Sequence, residues 1–413
     1  MTDIPPAVTA RGQLSPVPAR RPASPATAAA RGGPLRRVMA ATGLLAALTV
    51  TSAWSTDERA ATASTAPHQR VATTPPSTDA DLQQKMTDIL EAHRADREFV
   101  GAVLALRTAD GTSVTATSGT QQLGPDSSAV DPDIPWGIGS ATKVFVAVVV
   151  LQLAEEGALD LDAGIDTFLP ELPAADRITP RQLLQHTSGL GDYLDEPAVQ
   201  SDARREWTPS ELIAVAEAAG RTGEPGGPHA YSNTNYIVLG EIIEQVTGNS
   251  WEDEVAERIV GPLDLRGTRL ISCHGAPGYG VEGETFVDYT DRWHPSIGGA
   301  AGGLESTASN LLVFIEALAD GRLLSEDSQA QMRTFIPAED LSQFGIVHKY
   351  GLGFEEYVTG PLTVHGHLGS GAAHSAFVGF DPQSGAAVAV MMNADTPGPQ
   401  IFMAFEALAA VSG

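Results

Sequence analysis

Cysteine is nearly absent from this 413-residue chain: Cys273 stands alone. That excludes an intramolecular disulfide framework and any metal or iron–sulfur site built on several thiolates. Lysine is almost as scarce. Lys85, Lys143 and Lys349 are the only three among 25 basic residues, which face 51 acidic ones for a formal charge of −26. Clustered positive charge is therefore missing, and with it the means to neutralise phosphates, so nucleic acid is not an expected partner. The apolar run from Val38 to Val50 has 13 residues, short of the roughly 20 that a membrane-spanning helix needs. What is present is an ordinary globular composition, 42% hydrophobic and 18% charged, long enough for one large domain or two modest ones.

The charge is unevenly spread. Residues 1–60 hold seven arginines and three acids, so 18 basic residues face 48 acidic ones beyond Ala60. Arg31, Arg36 and Arg37 precede the Val38–Val50 run, and small residues follow at Thr51-Ser52-Ala53. A basic n-region, an apolar h-region and a small-residue exit read as an export signal within residues 1–60, so the mature protein is expected to be secreted and free of the membrane. An uncleaved signal acting as an anchor is the lesser alternative. No cysteine follows the run, which argues against a lipid anchor. Residues 61–80, rich in Thr, Ser, Pro and Ala, read as a disordered linker, and residues 81–413 as the folded domain.

Within that domain, Leu82, Met86, Ile89 and Leu90 have helical spacing. Val100 to Arg107 and Thr112 to Ser118 read as a strand pair turning at Asp110-Gly111. The middle of the chain is helical. Thr208-Pro209-Ser210-Glu211 is a capping box with proline at N1, Thr179-Pro180 is a similar start, and Gly157, Gly248 and Gly321 fall where helices should stop. Strands return at Ala372 to Phe380 and Ala386 to Asn393, ahead of an apolar helix from Gln400 to Val411. This order predicts an α+β fold, in which both chain ends build one antiparallel sheet flanked by terminal helices, with a mainly helical region inserted.

The stretch richest in chemistry is Gly139-Ser140-Ala141-Thr142-Lys143, followed by an apolar run to Leu153. A run apolar on nearly every side is a buried helix. With Ser140 in its first turn, the i, i+3 spacing brings the Lys143 amine to the serine hydroxyl. The helix N-terminus favours a developing oxyanion, and burial pushes the amine toward its neutral, basic form. Serine needs such a base to act as a nucleophile. Taken alone, Ser140 as a plain N-cap and Lys143 as a solvated first-turn residue fits equally well.

Two further motifs decide between these. Tyr231-Ser232-Asn233 follows Glu224-Pro225-Gly226, and His367-Leu368-Gly369-Ser370 precedes the late strands. Serine-x-x-lysine, then Tyr-Ser-Asn, then His-x-Gly resembles the serine β-lactamase and penicillin-binding protein family, specifically its class C β-lactamase, esterase and secreted D-alanyl-D-alanine carboxypeptidase branch. Leu159-Asp160-Leu161-Asp162, His186-Thr187-Ser188-Gly189-Leu190 and Tyr350-Gly351-Leu352-Gly353 look like landmarks of the same branch. The resemblance spans Asp81 to the C-terminus and implies a β-lactamase/transpeptidase-like fold. It implies that Ser140 attacks a carbonyl to form an acyl-enzyme, with Lys143 and Tyr231 sharing proton transfer. It further implies that Asn233 orients Lys143 and contacts substrate, and that His367 lends a donor or positive charge near Tyr231. Gly369 belongs to the third motif, and the Ser140 and Ser370 N–H groups would form the oxyanion hole. No cofactor is implied.

Each element also has a plainer interpretation. Asn233 could cap the helix after it, and His186 could be structural. His365, His367 and His374 could suggest a metal site, but no acidic or cysteine ligand accompanies them, so no metal is expected. Cys273 has no paired base and reads as a bystander. Carboxypeptidases of the resembled branch hold a substrate carboxylate with a hydroxyl at the middle of the third motif and an arginine after the Tyr-Gly-x-Gly stretch. Here those places hold Leu368 and the pair Glu355 and Glu356, which are expected to repel a carboxylate. The expectation is thus a secreted serine hydrolase of amides or esters. Carboxypeptidase, esterase and β-lactamase lie within it, and the ligand is a small molecule or peptide such as a cell-wall peptide or β-lactam. A non-catalytic binder of those ligands is the alternative of another class.

Overall fold

The computed structural model describes residues 79–412 apart from 273–275, 372 and 397. The export signal and nearly all of the linker expected from the sequence, and Cys273, lie outside the described residues.

Helix α1 (Asp79–Ala95) opens the fold, with Leu82, Met86 and Leu90 buried one turn apart. Asp79 and Asp81 in its first turn and His93 and Arg94 in its last suit the helix dipole. Strands β1 (Gly101–Arg107) and β2 (Ser113–Gly119) follow as the expected hairpin. The helical insertion comes next. It includes α2 (Thr142–Glu155), α3 (Pro180–Leu184), α4 (Pro209–Ala219), α5 (Thr234–Thr247) and α6 (Ala308–Ala319). Both capping boxes form as read, on Thr179 with Gln182 and on Thr208 with Glu211.

The sheet then resumes with β3 (Ile336–Pro337), β4 (Val347–Tyr350), β5 (Glu355–Thr359), β6 (Leu362–Ser370), β7 (Ser375–Phe380) and β8 (Ala387–Met392), and α7 (Pro399–Ala409) closes the chain. All eight strands form one sheet in the order β2-β1-β8-β7-β6-β5-β4-β3. Its closing pair joins the two chain ends, from Ala102 opposite Met392 to Arg107 opposite Ala387. Residues of β1, β7 and β8 are buried on both faces, because helices cover both. Leu104, Leu106, Val388 and Val390 pack under α1 and α7, whereas Val103, Ala105, Ala389 and Met391 face the helical insertion.

Two details of this frame build the site. Pairing of β5 with β6 stops at Glu355 opposite Gly366, so His367 to Ser370 run on past β5. The tip of α2 then packs against that free segment.

Candidate active site

Ser140 sits in a tight 3-10 turn, Gly139–Ala141, that leads directly into α2. Every residue from Thr142 to Leu151 is buried, so the helix position is set by the core on all sides. Gly139 has φ +49°, and a Cβ there would lie 2.5 Å from the Ser370 carbonyl oxygen and 2.7 Å from its nitrogen. Only glycine lets the nucleophile turn come this close to β6. Gly369 answers from the other side, its Cβ position falling 1.9 Å from the Ile138 oxygen. The backbone of the Ser140 turn and that of Ser370 are thereby brought into close approach.

Lys143 is completely buried, and its ammonium makes three hydrogen bonds: to Ser140 Oγ at 3.0 Å, Asn233 Oδ1 at 2.8 Å and the Ala301 carbonyl at 2.6 Å. Burial pulls its pKa from 10.5 down to about 7, while Asp192 and Glu355 oppose that fall. The Tyr231 hydroxyl is also hydrogen-bonded to Ser140, and burial holds that phenol well above its usual pKa. Two proton-carrying groups therefore converge on one serine oxygen. The Lys143 Nζ also lies 5.0 Å from the centre of the Tyr231 ring.

Asn233 opens α5 with helical φ and ψ and makes no side-chain cap. Its amide instead bridges Lys143 and Asp192, donating from Nδ2 to Asp192 Oδ2 at 3.0 Å. Asp192 is half-buried, and the loss of solvent around its carboxyl raises it to about 6.

A family model described as Beta-lactamase matches residues 86–412. This chain belongs to the Beta-lactamase family. Among solved structures, the D-stereospecific amidohydrolase of a Streptomyces species superposes with a TM-score of 0.70 at 32% identity, over 80% of this chain and 99% of that one. The D-amino acid amidase of Ochrobactrum anthropi SV3, complexed with D-phenylalanine, gives a TM-score of 0.73 at 28% identity, over 80% and 99%. Penicillin-binding protein 4 of Amycolatopsis lactamdurans is 28% identical over 323 residues, 73% of this chain and 83% of that protein. A penicillin-binding relative from Bacillus subtilis matches at 31% over 236 residues, and the chain spans 55% of its length. Members of the Beta-lactamase family are serine hydrolases, and the antiparallel sheet with helices on both faces is the family's β-lactamase/transpeptidase-like fold.

Set against the Beta-lactamase motifs, the structure brings Ser140, Lys143, Tyr231, Asn233, Gly369 and Ser370 to one place and changes the part assigned to His367. That side chain lends neither a positive charge nor a donor to Tyr231. Its Nε2 lies 2.9 Å from the Tyr350 hydroxyl and its Nδ1 2.6 Å from the Leu368 carbonyl. Burial lowers its pKa, so the ring is neutral. Ser370 turns its hydroxyl to Asp395. His365 bonds Glu356 and His374 the Pro277 carbonyl, so the three late histidines diverge.

Glu355 and Glu356 also depart from expectation, because neither is turned toward substrate. Glu355 is buried behind β6, accepting from the Leu368 N–H at 2.9 Å and the Tyr357 hydroxyl at 2.5 Å, with His348 3.4 Å away. Burial alone would raise its carboxyl, but His367, His348 and Tyr357 bring it down to about 2. Glu356 pairs with Lys349 at 2.6 Å and with His365. A second acid, Asp395, meets the third motif at the Ser370 hydroxyl and is held up at about 6 by burial. Sequence reasoning missed Asp192, Tyr350 and Asp395. The first two stand in or beside the quoted His-Thr-Ser-Gly-Leu and Tyr-Gly-Leu-Gly stretches, and Asp395 carried no signal.

Proposed function

We propose that the protein is a secreted serine hydrolase that cleaves small amides and esters through an acyl-enzyme on Ser140, with amides of amino acids as its amide class. The observation that carries this is the buried Lys143, held within 3.0 Å of Ser140 Oγ and with a pKa near neutral. As a neutral amine it accepts the serine proton while the oxygen attacks the carbonyl. The Tyr231 phenol, bonded to the same oxygen, passes a proton to the leaving amine or alcohol and is reprotonated by the proton that Lys143 took from the serine, which returns both groups to their starting states. The Ser140 and Ser370 N–H groups receive the oxyanion, and each such donor is worth about 10²–10³ in rate. Water then repeats the sequence on the acyl-enzyme.

The substrate class is argued from charge. Neutral His367, and Asp395 beside Ser370, offer a free C-terminal carboxylate no counterion and one opponent. A site of that kind discriminates against D-Ala-D-Ala peptides. The structural neighbours named as D-amino acid amidases and a D-stereospecific amidohydrolase support the amide class. Export is supported by the basic and apolar pattern of residues 31–53.

The test is a panel on the purified protein: labelling by a fluorescent phosphonate, then turnover of D-phenylalaninamide, a nitrophenyl ester, a chromogenic cephalosporin and a peptide ending in D-Ala-D-Ala. Labelling of the parent and not of Ser140→Ala is expected, with amide and ester turnover exceeding release of D-alanine. Equal labelling of the two proteins refutes the nucleophile assignment, and faster D-alanine release refutes the substrate class.

A further inference from the structure

His186 is completely buried, with φ +57°, beneath the ring of Tyr231, the two stacked with centres 4.2 Å apart at 29°. Its Nδ1 faces two donors, the Ser232 backbone N–H at 3.2 Å and the Asn235 amide nitrogen at 2.9 Å. The amide orientation is fixed from outside, because Ser188 Oγ accepts from Leu190 N and donates to Asn235 Oδ1. A ring nitrogen that faces two donors carries the lone pair. The single proton of neutral His186 is then on Nε2, 3.2 Å from the Tyr350 hydroxyl oxygen.

The far end of the chain is determined just as tightly. His367 Nδ1 lies 2.6 Å from the Leu368 carbonyl, which can only accept, so that nitrogen bears the proton. His367 Nε2 is therefore the acceptor, and the Tyr350 hydroxyl 2.9 Å away donates to it. All the hydrogens point one way: Ser232 to His186, His186 to Tyr350, Tyr350 to His367, His367 to Leu368. The second and third motifs are joined by this chain through two residues outside them, and the two histidines hold opposite tautomers.

We propose that His186 and Tyr350 are positioning residues of acyl transfer, whose one-way hydrogen-bond chain keeps both imidazoles uncharged beside Lys143 and seats the Tyr231 ring over the Ser140 pair. This rests on the serine hydrolase reading above. The titratable groups facing His186 are Tyr231, Tyr236, Tyr350, His229, Lys143 and His367, and those facing His367 are Tyr350, Glu355, Lys143 and His348. A proton gained by either ring would place a second cation next to Lys143, weaken it as a base, and replace the stack under Tyr231 by a charge.

Tyr350→Phe keeps the ring and deletes the link. His367 then loses the donor that favours its neutral form and protonates more readily. The added charge disfavours the Lys143 ammonium, so the acid limb of kcat/KM moves to lower pH. Plateau kcat is expected to fall about 10-fold or more, with KM for the nitrophenyl ester nearly unchanged. His186→Asn, which tolerates the positive φ, is expected to lower kcat likewise. A readout independent of turnover is the 15N spectrum of imidazole-labelled parent protein at pH 7, where one buried ring is expected as the Nε2–H tautomer and one as Nδ1–H, assigned by the two variants.

Matching tautomers or a charged ring at either position overturns the proposal. So does a Tyr350→Phe enzyme that is folded and keeps its kcat, or one that loses kcat with the acid limb unmoved. Should the parent resist phosphonate labelling, the hydrolase reading fails, and the tautomer measurement still tests the chain.

Discussion

Replacing Gly369 by alanine tests the closest approach in the site. The added Cβ would stand 1.9 Å from the Ile138 carbonyl oxygen and 3.2 Å from Ala141 N, about 1.4 Å inside the shortest ordinary C···O contact. Neither side yields easily. The nucleophile turn is tied by Ile138 N to Leu304 O and continues into a helix buried on all faces, and β6 is paired along β7. The two must part by roughly 1 Å, which separates the Ser140 and Ser370 N–H groups. Misplacement on that scale costs about 10²-fold, and loss of an oxyanion donor about 10²–10³-fold. Overpacking itself costs ~1–3 kcal/mol, which leaves the protein folded. The expected result is a kcat/KM on a nitrophenyl ester lower by about two to three orders of magnitude, with a small drop in Tm. Gly371→Ala is the control, since its Cβ would meet nothing nearer than the His374 oxygen at 3.7 Å. A Gly369→Ala enzyme within threefold of the parent refutes the close-approach reasoning.

Because Lys143 must be neutral to act, kcat/KM should rise with pH through about 7. The Asp192 anion supports the ammonium form, so Asp192→Asn should move that limb to lower pH; an upward shift contradicts this. The same lysine holds more protons unfolded than folded between about 7 and 10.5, so its contribution makes stability rise with pH in that window. Glu355 gives a slope of the same sign in a lower window: folded at about 2 against 4.5 unfolded, it supports the fold above pH 4.5 and that support is lost as pH falls toward 2. Glu355→Gln leaves His348 facing one anion fewer and should cost ~3–5 kcal/mol in urea unfolding at pH 7; a loss below 1 kcal/mol counts against it. Asp395→Asn should raise the kcat/KM of a carboxylate-bearing ester relative to its neutral analogue by about tenfold at pH 8, as expected for relief of a partly screened charge repulsion. An unchanged ratio places Asp395 away from the bound substrate.

Elements governed by local rules could be read from the chain. The two capping boxes, the Asp110-Gly111 hairpin and the buried run after Ser140 each declare themselves within a dozen residues, and all three form. Ser140 with Lys143 was legible for the same reason, since i, i+3 on a helix is a fixed geometry. Partners that meet only through the fold were not. Asp192 reaches Asn233 across 41 positions, and Tyr350 reaches His186 across 164. Glu355 shows how a sequence position misleads: its place after Tyr-Gly-Leu-Gly suggested an acid facing substrate, but strand alternation and the end of β5 pairing turn it behind β6. His367 was misjudged for want of its surroundings, because its charge state depends on burial that no short motif reports.

The pairing of β1 with β8 sets when the enzyme can exist. Ala102 and Met392 pair across nearly the whole of the described residues, and the strand carrying Gly369 and Ser370 is anchored through β7 to β8. No native sheet can close, and the strand carrying Gly369 and Ser370 cannot be held in place, until β8 has been made and has reached β1. Contacts of such long range close slowly. The growing polypeptide therefore carries every residue of the candidate site well before any two of them can be held in working geometry.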